Sequence, residues 1–213
     1  MEAKKSLGQH WLKDEPTLIS VCESADIGKN DTVLEIGPGQ GDLTRQLVKR
    51  AGRVIAVELD DQLARALPKQ ITAQNLEVIR QDILKFDLTT LPAVYKVVAN
   101  IPYYLTSNLL RTLSESNNPP QGIALLVQKE VAERVAAGPG QMSVLSVSVQ
   151  LYYQAKLGPI VPAELFQPPP KIDSQVIILQ LRPEPLFKDL DAKLFFRIVK
   201  AGFAGRRKKL SLF

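Results

Sequence analysis

The chain has 213 residues, of which 45% are hydrophobic and 23% charged, a balance that excludes extended disorder, fibrous repeats and a disulfide scaffold. Cysteine and histidine each occur once, as Cys22 and His10, so thiol zinc sites and any chemistry needing two imidazoles are excluded as well. The net charge is +5, yet Arg206, Arg207, Lys208 and Lys209 supply four of those charges and leave the rest of the chain near neutral.

That cluster predicts an acidic partner, nucleic acid among the candidates. No apolar run approaches the ~20 residues that span a bilayer. Met1 to Lys5 is charged and lacks the apolar core of a signal peptide. The expected setting is therefore reducing, cytoplasmic and away from membranes.

In chain order, Asp14 and Pro16 start a helix whose stripe is Leu18, Ile19, Cys22 and Ile27. Thr32–Ile36 is a β-rich run that ends at glycines, and a helix follows from about Gly41 to Arg50. Arg53–Glu58 is a second strand, with a helix near Gln62 to Lys69. Strands at Leu76–Ile79 and Val94–Ala99 come next, then a helix from Thr106 to Leu113. Ile123–Val127 is a fifth strand, and Lys129–Ala137 a helix. Short loops between alternating strands and helices predict a parallel sheet covered on both faces. In Val144–Tyr153, Leu145, Val147, Val149 and Leu151 alternate as in a strand. Pro159, Pro162 and Pro168–Pro170 read as loops. Val176–Leu179 is a later strand, and Leu194–Phe203 an amphipathic helix. The chain stops at Phe213 in mid-pattern, as if cut short within a further domain.

Glu35-Ile36-Gly37-Pro38-Gly39-Gln40-Gly41 joins the first strand to its helix, and its glycines allow a ligand to approach the backbone. Glu58 ends the second strand, where a carboxylate can accept hydrogen bonds from both ribose hydroxyls of an adenosyl ligand. The Gly-x-Gly-x-Gly spacing is not the Gly-x-Gly-x-x-Gly that seats a pyrophosphate on a helix end, and the turn carries no Arg or Lys. An adenosyl ligand without phosphates fits better, namely S-adenosylmethionine (SAM), with Asp82 accepting from the adenine amine. A nicotinamide dinucleotide is disfavoured by the same spacing.

Asn100-Ile101-Pro102-Tyr103 follows the fourth strand, at the sheet end where open α/β folds bind ligands. An adenine amine is a poor nucleophile because its lone pair is delocalised into the ring. Acceptors at the Asn100 side chain and the Ile101 carbonyl would hold both amine hydrogens and turn the lone pair towards a methyl sulfonium. Pro102 restricts Ile101 to extended conformations, and Tyr103 would stack on an extruded base.

In these residues the chain resembles the rRNA adenine dimethyltransferases, and within them the branch acting on the small subunit. Lys5–Leu12, Glu35–Thr44, Asn100–Ser107, Val127–Arg134 and Phe166–Ser174 carry the likeness. The resemblance implies a Rossmann-like SAM-dependent methyltransferase fold with a mixed, mostly parallel seven-stranded sheet over residues 1–183. It implies the start of a helical, rRNA-gripping domain over 184–213. It makes Val144–Tyr153 helical, which is preferred here to the alternation. It implies that Gln9, His10, Leu12, Glu35, Gly37, Gly39, Glu58, Leu59, Asp82, Ile83 and Asn100 hold SAM. Asn100, Tyr103 and Phe166 would be catalytic, with Phe166 stacking on the target base opposite Tyr103. Ile101, Pro102, Arg206, Arg207 and Lys208 would add substrate contacts. His10 and Trp11 depart from the family's usual Asn and Phe.

The expected reaction is methyl transfer, without a metal, to N6 of two adjacent adenosines near the 3′ end of small-subunit rRNA. The enzyme would act as a cytoplasmic monomer on a pre-ribosomal small subunit. A resistance-type methylase of large-subunit rRNA, or an assembly or transcription factor that keeps the fold, are the competing expectations.

Overall fold

The computed structural model of the chain describes residues 8–184, 186–187 and 190–204. The strands are β1 (Trp11–Leu12), β2 (Thr32–Ile36), β3 (Arg53–Glu58), β4 (Leu76–Arg80), β5 (Lys96–Asn100), β6 (Gly122–Gln128), β7 (Tyr153–Val161), β8 (Phe166–Gln167) and β9 (Ser174–Leu181). The helices are α1 (Glu15–Ser24), α2 (Asp42–Val48), α3 (Asp61–Gln70), α4 (Thr106–Ser114), α5 (Lys129–Ala136), α6 (Val144–Gln150) and α7 (Ala192–Ala204).

Seven strands form one sheet in the order β4-β3-β2-β5-β6-β9-β7. The first five run parallel, and β9 pairs antiparallel with both β6 and β7. The expected Rossmann-like, mixed and mostly parallel sheet is therefore present. Alternate residues of the central strands face two separate cores. Leu34, Ile55, Val97, Ile123 and Ile177 pack with α4, α5 and α6, whereas Val33, Val54, Val98, Ala124 and Val176 pack with α1 and α2. Burial on both faces is why these strands read as continuous apolar runs. The chain leaves β2 towards β3 on one side and reaches β5 on the other. The switch point lies between the carboxyl ends of β2 and β5, where open α/β sheets form their crevice.

Several elements differ from the sequence reading. The nine-residue β7 contains Pro159, which had marked a loop. Proline is tolerated there because β7 is an edge strand and the register shifts between Leu157 and Ile160, leaving Pro159 in a bulge. Helix α1 ends at Ser24, so Ile27 lies beyond it and Val21 joins Leu18 and Cys22 on the buried face. Its start is as expected: Asp14 accepts from Thr17 N at 3.0 Å. Strand β5 begins at Lys96 and runs to Asn100; Val94 is exposed, and the buried Tyr95 donates its hydroxyl to Asn118 O. Residues 144–150 are helical, started by a capping box between Ser143 and Ser146. Among the described residues no helix is long and apolar enough to cross a membrane.

Candidate active site

A cavity of ≈ 310 Å³ opens at the switch point. Four segments wall it: residues 8–12, the glycine turn after β2, the ends of β3 and β4, and Asn100–Leu105 after β5. Every expected cofactor residue lines it: Gln9, His10, Leu12, Glu35, Gly37, Gly39, Glu58, Leu59, Asp82, Ile83 and Asn100. Ile101, Pro102 and Tyr103 line it too.

Glu58 is buried at the end of β3, and its carboxylate holds the glycine turn. Oε2 accepts from Gly39 N at 3.0 Å, and Oε1 accepts from Asp60 N at 2.8 Å. Burial raises its pKa, and those two N–H groups oppose the rise. Gly39 has φ +57°, and a Cβ there would lie 3.3 Å from the Trp11 indole Nε1. Gly41 at φ +84° starts α2, and a Cβ there would meet Leu67 at 2.5 Å and Ile71 at 2.7 Å. Positive φ and these close approaches favour glycine at both points. Asp82 caps the short turn Ile83–Lys85 by accepting from Leu84 N at 3.0 Å.

Glu35 is fully buried beneath the turn, and burial pushes its carboxyl up to about 8. The Thr44 hydroxyl pulls the other way, while the charges of Glu58 and Asp42 add to the rise. Apart from the Thr44 hydroxyl beside it, the Glu35 carboxyl has no hydrogen-bond partner among the described residues, nor does the buried Trp11 N–H. A buried polar group without a partner costs ~1–3 kcal/mol, so this donor set suits a ligand bearing an amino-acid end. The residues present fit SAM: Glu58 could accept from a ribose, Asp82 and Ile83 could meet an adenine edge, and Glu35 could meet an ammonium.

The native state keeps the Glu35 proton up to about pH 8, whereas the unfolded chain loses it near the ordinary value of 4.5. Between those values the native state binds more protons, so Glu35 makes stability fall as pH rises. Its full cost is reached above about 8. Glu35→Gln should flatten that slope and gain about 2 kcal/mol relative to the parent between about pH 6 and pH 8. Urea denaturation of both proteins at the two pH values measures this. Parallel pH dependences would show that Glu35 ionises normally in the native state.

At the other wall, Asn100 Nδ2 donates to the His10 carbonyl at 3.1 Å. A carbonyl can only accept, so this contact fixes the amide orientation and leaves Oδ1 as the acceptor available to a ligand. The Tyr103 ring stacks on His10 with centroids 5.8 Å apart and planes at 18°. Its hydroxyl is 2.9 Å from Ser174 Oγ.

Phe166 departs from expectation. It is 4% exposed and packs in the core with Leu12, Leu18, Leu126, Val161 and Val176, outside the cavity. Its ring has no face open to a base in this structure, because β8 pairs antiparallel with β1, setting Phe166 opposite Leu12 and Gln167 opposite Trp11. Sequence reasoning missed this two-residue ribbon, which is too short to show periodicity. It also missed Trp11 and Tyr104 as cavity-lining residues. Arg206, Arg207 and Lys208 lie outside the described residues, as do Lys5, Ser6 and Leu7.

A glycine turn on β2, an acid ending β3, a second acid after β4 and an Asn-Ile-Pro-Tyr segment after β5 define a Rossmann-like SAM-dependent methyltransferase. Comparison with known proteins narrows the class. Residues 1–212 match the family described as ribosomal RNA adenine dimethylase, and the chain belongs to that family. It is 42% identical over 218 aligned positions to ribosomal RNA small subunit methyltransferase A of Dehalococcoides mccartyi, covering 99% of this chain and 74% of that protein. It is 42% identical to the protein of the same name in Shouchella clausii, covering 97% of this chain and 73% of that one. Among solved structures, a dimethyladenosine transferase from Plasmodium falciparum superposes with TM-score 0.83 at 30% identity, over 94% of this chain and 73% of that one. The 23S rRNA methyltransferase ErmE superposes with TM-score 0.81 at 31% identity, over 92% and 79%. The protein is thus an enzyme, an rRNA adenine dimethyltransferase with SAM as methyl donor.

Proposed function

We propose that the protein dimethylates N6 of two adjacent adenosines near the 3′ end of small-subunit rRNA. It would act as a cytoplasmic monomer on a pre-ribosomal small subunit, in ribosome biogenesis. Residues 1–183 would form the catalytic domain, and residues 184–213 would begin a helical domain that grips rRNA through Arg206, Arg207 and Lys208. The observation that carries the chemistry is the Asn100 amide, turned by the His10 carbonyl so that its oxygen is the acceptor offered at the end of β5.

When bound, SAM supplies an electrophilic methyl group. Glu58 would hold the ribose, Asp82 and Ile83 the adenine, and Gln9, Glu35 and Gly37 the methionine end. Asn100 Oδ1 and the Ile101 carbonyl would accept the two hydrogens of the target amine and so aim its lone pair at the methyl. Tyr103, held by Ser174 and His10, would hold the extruded base in plane. Positioning of this kind accounts for acceleration without an added base.

The choice of small subunit is favoured by the two relatives at 42% identity, both named for that target. The test is to incubate the protein with SAM and unmodified ribosomal subunits of each size and map the methylated adenosines. Two neighbouring dimethyladenosines in small-subunit rRNA are expected. Modification confined to the large subunit would overturn the target and place the protein with resistance-type methylases.

A further inference from the structure

His10 touches three parts of the site at once. Its carbonyl accepts from Asn100, its ring stacks on Tyr103, and its Nδ1 lies 2.7 Å from Pro168 O. Because a carbonyl oxygen only accepts, Nδ1 must carry the hydrogen and donate. Pro168 directly follows β8, and His10 directly precedes β1. The side chain therefore adds one more tie across the β1–β8 ribbon, beyond its two backbone pairs. The ribbon is short, and residues 8–12 form a cavity wall. The tie reinforces the two-residue pairing beside the wall and beside the carbonyl that orients Asn100.

We propose that His10 is a positioning residue for methyl transfer. Its Nδ1–H tethers residues 8–12 to the Pro168 carbonyl, and through its own carbonyl and ring it sets Asn100 and Tyr103. The tether needs one donor two bonds from Cβ. An asparagine places Nδ2–H at that same distance from the backbone, whereas phenylalanine keeps the ring and loses the donor. The proposal rests on the roles given to Asn100 and Tyr103.

The experiment compares the full chain with His10→Ala, His10→Asn, His10→Phe and Asn100→Ala. Single-turnover methylation of unmodified small subunits is measured at saturating SAM. Affinity for SAM is followed by the fluorescence of Trp11, the chain's one tryptophan and a residue of the cavity wall. Loss of one oriented hydrogen bond acting on the reacting group predicts about a tenfold fall in rate for His10→Ala and His10→Phe, with SAM affinity changed less than about threefold. His10→Asn should recover the parent rate to within about threefold, since the donor is restored.

A His10→Asn protein as slow as His10→Ala would overturn the tether, as would parent-like rates in His10→Ala. A rate deficit erased by raising SAM, with affinity lowered in proportion, would make His10 merely part of the cofactor wall and also overturn it. Should His10→Ala fail to fold, the contrast between His10→Phe and His10→Asn decides alone. Parent-like methylation by Asn100→Ala would sink the site reading itself; slow methylation by that variant beside a fast His10→Ala would sink only the role of His10.

Discussion

Asn100→Ala is expected to cut single-turnover methylation by about 10²–10³, the loss of ~2.7–4 kcal/mol seen when one oriented donor or acceptor is removed from a reacting centre. Affinity for SAM should change far less, because Glu58 and Asp82, the residues proposed to hold the nucleoside, still line the cavity. The structure adds a second, smaller consequence. The His10 carbonyl loses its 3.1 Å partner, which costs ~1 kcal/mol of local order. Asn100→Asp separates the two effects. It keeps an acceptor for the amine and adds a charge that favours positive character developing there, but its carboxylate repels the His10 carbonyl. Partial activity is expected, between that of Asn100→Ala and the parent. Full activity in Asn100→Ala at saturating SAM would reduce Asn100 to a residue of the turn.

Glu58→Ala should weaken SAM binding by about 10²-fold or more, since charge-assisted hydrogen bonds contribute ~1.5–3 kcal/mol each. Each carboxylate oxygen already accepts from a backbone N–H, of Gly39 and of Asp60. The ribose would use the remaining lone pairs, and removal of the side chain also frees the glycine turn. A cycle with a second ligand distinguishes the contributions. Calorimetry with S-adenosylhomocysteine and its 2′-deoxy analogue should show the parent discriminating by about tenfold, and Glu58→Ala discriminating hardly at all. If both proteins discriminate equally, the ribose contact is wrong and Glu58 acts only on the turn.

How much of this was legible in the residues depends on the length of the signal. Strands β2 and β3 fall on Thr32–Ile36 and Arg53–Glu58, as the apolar runs foretold, because both faces of a central parallel strand are buried. The acids and glycines after them were legible for a related reason: their positions at strand ends follow once the strands are known. Strand β7 was not legible, because Gly158 and Pro159 break its pattern and only tertiary pairing with β9 keeps the strand continuous across them. The β1–β8 ribbon was not legible either, since two residues have no period. It is this pairing, between residues 154 and 156 positions apart in sequence, that takes Phe166 into the core and leaves Tyr103 beside His10. Helix α6 is as the resemblance implied, against the residues' own pattern. Leu145, Val147, Val149 and Leu151 alternate as in a strand, while the Ser143 cap that starts the helix is a single residue easily outvoted by a pattern.

The bulge at Pro159 bears on what the outer rim of the sheet offers to another chain. Strand β7 is the outer rim of the sheet, with Leu157 and Ile160 exposed on it. A long, straight apolar rim would recruit a strand from another molecule. Here the rim bends between Leu157 and Ile160, proline contributes no N–H, and the Gly158 carbonyl is taken by Gln175 Nε2 at 3.0 Å. An incoming strand finds a broken ladder of donors and acceptors, so this rim is a poor template for strand addition.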